Sequence, residues 1–194
     1  MQQIRAYLSA ITPVSDGGWE KISSHLKILS IPKNSVLLKE GQVCNDVYFV
    51  VKGLVRLYVV ADGKQICRQF FFENSFVSAY DSFLSKQPSK TSADVLEDTT
   101  LYYFNHADIQ YFYEQIPTFQ LIGRVLAENM FIKISERVNS FLTESPELRY
   151  TQLVTNRPKV LQRIPQYMIA SYLGITPEHL SRIRKKMAGN KASG

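Results

Sequence analysis

Residues 166–186, QYMIASYLGITPEHLSRIRKK, leave this chain fewer choices than any other stretch. Ile169, Leu173, Leu180 and Ile183 recur where two short helices must bury apolar side chains against each other. Ala170 falls where the helices cross and only a small side chain fits. Gly174 falls in the turn, where a positive φ is cheap for glycine alone. Ile175 plugs the turn. Thr176 suits an N-cap, Pro177 the first helical position, and Glu178 a first turn that favours negative charge. The pattern is that of a helix-turn-helix.

Charge points the same way. The chain has 194 residues and a net charge of +6. Residues 157–194 alone carry eight Lys/Arg against one acid, and the other 156 residues come to −1. A basic patch confined to one module is the footprint of a polyanion binder. An apolar content of 45% excludes a disordered chain. Cys44 and Cys67 are too few for an iron–sulfur cluster and have no His or Cys at metal spacing, so they read as reduced core thiols. The N-terminus lacks a basic stretch followed by a long apolar one, and no segment is apolar enough to span a bilayer, so the expectation is a cytoplasmic protein with no membrane partner.

In chain order, residues 3–10 form a short amphipathic helix, and Ser15 caps a second with Trp19, Ile22 and Leu26 on one face. Pro32 ends that region. From Ser35 to Phe104 the texture is β-rich. Runs at 36–38, 47–51, 54–60, 65–72, 91–95 and 99–104 predict at least six strands in a β-sandwich or roll, with a hairpin at Asp62-Gly63. Val55, Leu57 and Val59 alternate with Arg56 and Tyr58, which predicts a half-buried strand.

Residues 106–116 predict a helix, and Pro117 opens a long one to Thr143. Phe119, Ile122, Leu126, Met130, Ile134, Val138 and Phe141 recur every 3.67 residues, a helical stripe. Leu121, Val125, Phe131, Ile132 and Leu142 lie outside it. A helix apolar on two sides must bury both: one side can dock on the roll and the other on a second copy, with Phe119, Ile122, Leu126, Met130 and Ile134 as the candidate dimer positions, the alternative being a helix wrapped wholly by its own domain. Two helices at about 146–155 and 158–162 precede the helix-turn-helix.

A roll, a long helix and a C-terminal helix-turn-helix resemble the cyclic-AMP receptor protein/fumarate-nitrate reductase regulator (Crp/Fnr) family of bacterial transcription factors. The roll glycines are Gly41 and Gly53. The resemblance implies an α+β chain: a cyclic-nucleotide-binding-like jelly-roll at 1–115, a dimerisation helix at 116–144 and a DNA-binding domain at 145–194. It implies a homodimer on double-stranded DNA, with RNA polymerase as a further partner. Glu178 and Arg182 hold the family's base-reading places, Thr176, Ser181 and Lys185 share their outward register, and His179 points sideways, either to DNA or into the helix packing. Two departures follow. The clasp that takes cyclic AMP elsewhere in the family has Ala79 in place of its Glu and Thr91 in place of its Arg. Cyclic AMP is therefore not expected in the usual way, no cofactor is identified, and the effector is unknown, with Ser78, Tyr80, Lys90, Thr91 and Ser92 as candidate pocket residues. Residues 145–164 read helical where many members place a β-wing, which passes phosphate contacts to Arg157, Lys159 and Arg163. The alternative is a sensor whose roll, rich in Phe70, Phe71, Phe72, Phe76 and Phe83, signals through protein contacts. No phosphate loop, nucleophile elbow or metal-spaced cluster suggests an enzyme.

Overall fold

The structure, a computed structural model, describes residues 1–192. The chain divides into two compact units: Met1–Val59 with Gln69–Ile132, and Val60–Arg68 with Lys133–Gly194, the last two of these lying outside the described residues.

The first unit opens with α1 (Gln2–Ile11) and α2 (Asp16–Ser24). The Ser15 hydroxyl accepts from the Gly18 amide at 3.1 Å, the expected cap. Ile4, Leu8 and Ile22 are fully buried, with Trp19 and Leu26 packed beside them. Eight strands follow among the described residues: β1 (Lys27–Ile31), β2 (Val36–Leu38), β3 (Asp46–Lys52), β4 (Val55–Ala61), β5 (Lys64–Phe71), β6 (Phe76–Val77), β7 (Ser92–Val95) and β8 (Thr99–Asn105). They form two antiparallel-paired sheets, β1-β8-β3-β6 and β2-β7-β4-β5. A short α3 (Tyr80–Ser85) lies between β6 and β7.

The sheet residues divide by pleat. Val50, Leu101 and Val77 from one sheet meet Val55, Leu57, Ala93 and Val95 from the other. Phe49, Tyr102 and Phe104 point the opposite way, onto Ile4, Leu8 and Ile22. They are joined there by Phe112 of α4 (His106–Gln115) and by Phe119 and Ile122 of α5 (Pro117–Thr143). A capping box between Asn105 and Asp108 starts α4. At Gly53 (φ +103°) a Cβ would lie 2.8 Å from the Thr99 Cα, so the β3–β4 turn admits glycine only. Asp62 (φ 50°) and Gly63 (φ 72°) are both left-handed, as a two-residue hairpin turn requires.

Two expectations change. The β region begins before Ser35: Lys27–Ile31 is a strand, pairing Leu29 with Leu101. Its partner lies about seventy residues on, so the run carries little local signal. And β4 is not half-buried. Arg56 and Tyr58 are buried together with Val55 and Leu57. Arg56 can be buried because Asp94 stands directly opposite it in the β4–β7 register and neutralises it.

The second unit holds the end of α5, then α6 (Pro146–Asn156), α7 (Lys159–Arg163), α8 (Gln166–Leu173) and α9 (Pro177–Ala192), together with the tip of the β4–β5 hairpin. Residues 145–164 contain helix and turn and no strand. Leu153, Val160, Ile164 and Met168 are buried within it. No helix among the described residues is long and apolar enough to cross a membrane.

Candidate nucleic-acid interface

The geometry of α8 and α9 follows from their apolar residues. Ile169, Ala170, Leu173, Leu180 and Ile183 are all buried, so the two helices meet along the seam read from the sequence. At the end of α8 the chain turns through Gly174 (φ 70°), and the Ile175 amide donates back to the Ala170 carbonyl at 3.0 Å, a Schellman closure. The Thr176 hydroxyl then accepts from the His179 amide at 3.2 Å and caps α9. Glu178 sits in the first turn. Its own backbone N–H, then the Thr176 side chain and the Arg182 charge, hold its carboxyl below the usual range.

With the seam buried, Thr176, Glu178, Ser181, Arg182 and Lys185 face outward and are exposed, as are Arg184 and Lys186. A cleft of about 460 Å³ runs along this side, where Ser181 and Lys185 meet Gln166 and Arg184. Gln166 was not among the sequence candidates. Nothing in its residue type signals the position. His179 departs from the other candidates. It is half-buried, and its Nε2 lies 3.9 Å from Glu147 Oε1 on α6, so it faces the helix packing. Lys159 is exposed, Arg157 and Arg163 are half-buried, and none of the three lines the cleft.

The C-terminal end of α8 is held from two sides. Arg137 of α5 donates to the Tyr172 carbonyl at 2.8 Å, and its guanidinium lies 3.8 Å from the Tyr172 ring centroid. Arg149 of α6 donates to the Leu173 carbonyl at 3.1 Å. Both guanidiniums lie over the Phe141 ring, at 4.9 and 4.8 Å from its centroid. On the neighbouring position, the Ser171 hydroxyl accepts from the Cys67 amide at 3.0 Å and donates to the Gln65 carbonyl at 3.3 Å, both in the hairpin tip.

The roll candidates do not converge as a set. The Ser78 hydroxyl donates to the Asp46 carbonyl at 3.1 Å, and the Ser92 hydroxyl accepts from the Glu40 amide at 3.0 Å. Tyr80 opens α3 and stacks on Phe83 at 6.0 Å, and burial raises its phenol above the ordinary value. Lys90 is exposed while Thr91 is buried. The buried positive charge of the roll is Arg56, 3% exposed, which sequence alternation placed on the solvent side. Its Nε donates to Asp94 Oδ1 at 2.9 Å and its Nη2 to Oδ2, a bidentate pair, with the Tyr58 ring 4.3 Å away. Phe70 and Phe83 are buried in the cores. Cys44 and Cys67 are buried and form no disulfide. No group of three or more potential metal ligands occurs among the described residues.

On α5, Phe119 and Ile122 belong to the chain's own core, which corrects their assignment to a dimer face. Leu126 and Met130 are half-buried. The apolar surface lies further along: Phe131 (70% exposed), Ile132, Ile134, Val138 and Leu142 (77%).

Residues 28–116 match the family model of the cyclic nucleotide-binding domain. No curated protein matches the chain in sequence. Among solved structures, FixK2 from Bradyrhizobium japonicum superposes with a TM-score of 0.72 at 16% identity, over 86% of each chain. The c-di-GMP-responsive global regulator CLP from Xanthomonas campestris gives 0.71 at 15% identity, over 91% of this chain and 93% of its own. A Crp/Fnr-family protein from Eubacterium rectale gives 0.70 at 16% identity, over 93% and 88%. Residues 28–116 are therefore similar to the cyclic nucleotide-binding domain, and the chain has the fold of the Crp/Fnr structures it superposes on.

Proposed function

We propose that this chain is a sequence-specific, DNA-binding transcription regulator, acting as a homodimer in the bacterial cytoplasm. The observation that carries the reading is the outward row Ser181, Arg182 and Lys185 on α9, beside Glu178 and above a buried apolar seam. In this reading α8 and α9 are a helix-turn-helix and α9 enters the major groove. Glu178 accepts from cytosine N4, Arg182 donates to guanine in bidentate fashion, and Thr176 and Ser181 contribute polar contacts. Lys185, Arg184 and Gln166 meet phosphates. Arg157, Lys159 and Arg163 add backbone contacts that a wing would otherwise make. His179 is a packing residue rather than a DNA contact.

The dimer pairs the exposed apolar surface of α5 with that of a second copy, which brings two α9 helices to successive major grooves about 34–36 Å apart. The roll does not take cyclic AMP in the family's manner. Ala79 lacks a carboxylate, Thr91 lacks a guanidinium, and Arg56 is already neutralised by Asp94. Micromolar affinity for cyclic AMP by calorimetric titration would overturn that point.

The test is selection of a site from random DNA, followed by titration with Arg182→Ala. The variant is expected to lose about 1–3 kcal/mol and to relax specificity at one base pair. Unchanged discrimination would remove Arg182 from the readers. Complete absence of salt-dependent DNA binding would favour the alternative, a sensor that signals through protein contacts.

A further inference from the structure

The end of α8 is fastened by side chains from two other helices. The last carbonyls of a helix need partners, and water or a glycine turn supplies them at most helix ends. Here the Gly174 turn takes the Ala170 and Ser171 carbonyls, and the Tyr172 and Leu173 carbonyls, which water could satisfy, each receive a guanidinium instead. The two arginines come from different elements, Arg137 from α5 and Arg149 from α6, and share one ring, Phe141. Arg149 is tied a second time, to the Glu144 carbonyl at the end of α5 at 2.7 Å. Its Nε is buried with no hydrogen-bond partner, so the geometry is kept at a cost. A Cβ at position 174 would lie 2.7 Å from the Phe141 ring, so α8 approaches α5 as closely as a glycine allows. Burial also draws the Arg137 pKa below its ordinary value, as expected of a guanidinium enclosed by the chain.

We propose that Arg137 and Arg149 are positioning residues that lock α8, and with it α9, onto the last turns of α5, and that this lock sets the spacing between the two half-sites the dimer reads. The inference rests on the dimeric DNA-binding reading above. If α5 pairs the two copies, then whatever fixes α8 to α5 fixes the distance and rotation between the two α9 helices. One added base pair moves a half-site by about 3.4 Å and turns it by about 35°. A rigid lock cannot follow that change and a loosened one can.

The experiment uses the full chain and the selected operator, remade with one base pair removed and with one or two added at its centre, and an isolated half-site as control. Wild type is expected to lose roughly tenfold or more in affinity for each altered spacing. Arg137→Met and Arg149→Met are expected to bind the best operator about tenfold less tightly, the worth of a charge-assisted hydrogen bond. They should also hold all spacings to within about threefold while keeping the wild-type half-site affinity. Arg137→Lys keeps the charge but loses the planar stack, and is expected to give an intermediate profile. It serves also if the methionine variants do not fold. A variant spacing profile as steep as wild type would overturn the proposal, as would a loss equal on half-site and full operator, which marks a structural role only. Wild type that binds DNA with no spacing preference overturns it too. Wild type that binds no DNA overturns instead the reading on which it rests.

Discussion

The buried pair Arg56–Asp94 tests how the roll is organised. The Arg56 side chain is 4% exposed and that of Asp94 14%, so both charges depend on each other more than on water. Asp94→Asn keeps the shape and leaves the guanidinium buried without its counter-charge. Breaking one side of a buried pair costs about 3–5 kcal/mol. Arg56→Met is expected toward the lower end of that range, because Asp94 retains more solvent. The double variant Arg56→Met/Asp94→Leu removes both desolvation penalties and fills the space. It is expected within about 1 kcal/mol of wild type, since hydrophobic replacement of a buried pair is often neutral or better. With Asp94→Leu also made singly to close the cycle, the coupling energy should then be several kcal/mol. The assay is urea unfolding followed by fluorescence of Trp19, the sole tryptophan, which packs on the core of the same unit. Single variants within about 1 kcal/mol of wild type, or penalties that simply add, would refute the view that Asp94 is the counter-charge Arg56 requires. DNA affinity of the double variant should stay at the wild-type level, because the pair is structural and not a ligand clasp.

Gly174→Ala is expected to destabilise the second unit by about 2–4 kcal/mol, part from the left-handed backbone and part from the Phe141 contact. Adding Phe141→Leu should recover only the contact share, measured by denaturant midpoints. For Glu178, the folded pKa lies below the unfolded one, so its stabilising effect is complete above the ordinary carboxylate range and is lost as pH falls through the depressed value. Unfolding midpoints between pH 7 and pH 3 should therefore fall less steeply in Glu178→Gln than in wild type, and parallel curves would reject the assignment. Phe131→Glu places a charge on the most exposed aromatic of α5 and is expected to give a monomer by sedimentation with folded-state circular dichroism intact. A dimer unchanged at micromolar concentration would place the interface elsewhere.

Periodicity and turn chemistry made the described helices other than α3, six of the eight strands and the helix-pair seam legible, because each is written in neighbouring residues. The α5 bounds, Pro117 and Thr143, were readable from a proline and a 3.6-residue period. What escaped was set by partners far away in the chain. The strand at residues 27–31 is specified by β8, and the burial of Arg56 by Asp94, 38 residues on. The face of α5 was ambiguous for the same reason. Phe119 and Ile122 look like Ile134 and Val138 in sequence, and only the docking of the first two turns on Phe112 separates them. Arg137 and Arg149 gave no signal, since an arginine on a polar helix face reads as solvated until the carbonyl it caps is located.

The hairpin tip at Val60–Arg68 has a consequence for biogenesis. Its hydrogen-bond partner, Ser171, lies 104 residues further along the chain from Cys67. At synthesis rates of about 5–20 residues per second, the tip waits roughly 5–20 s for α8 to appear. During that interval β5 is the edge of its sheet, with Val60 and Ile66 at the surface of the hairpin. A bare edge with apolar residues invites pairing with another nascent chain. Lys64 and Arg68 sit on that edge, the kind of charge that discourages such pairing. The second unit is assembled from a loop and from helices made about a hundred residues later, so the module proposed to meet DNA closes only after α8 has been made.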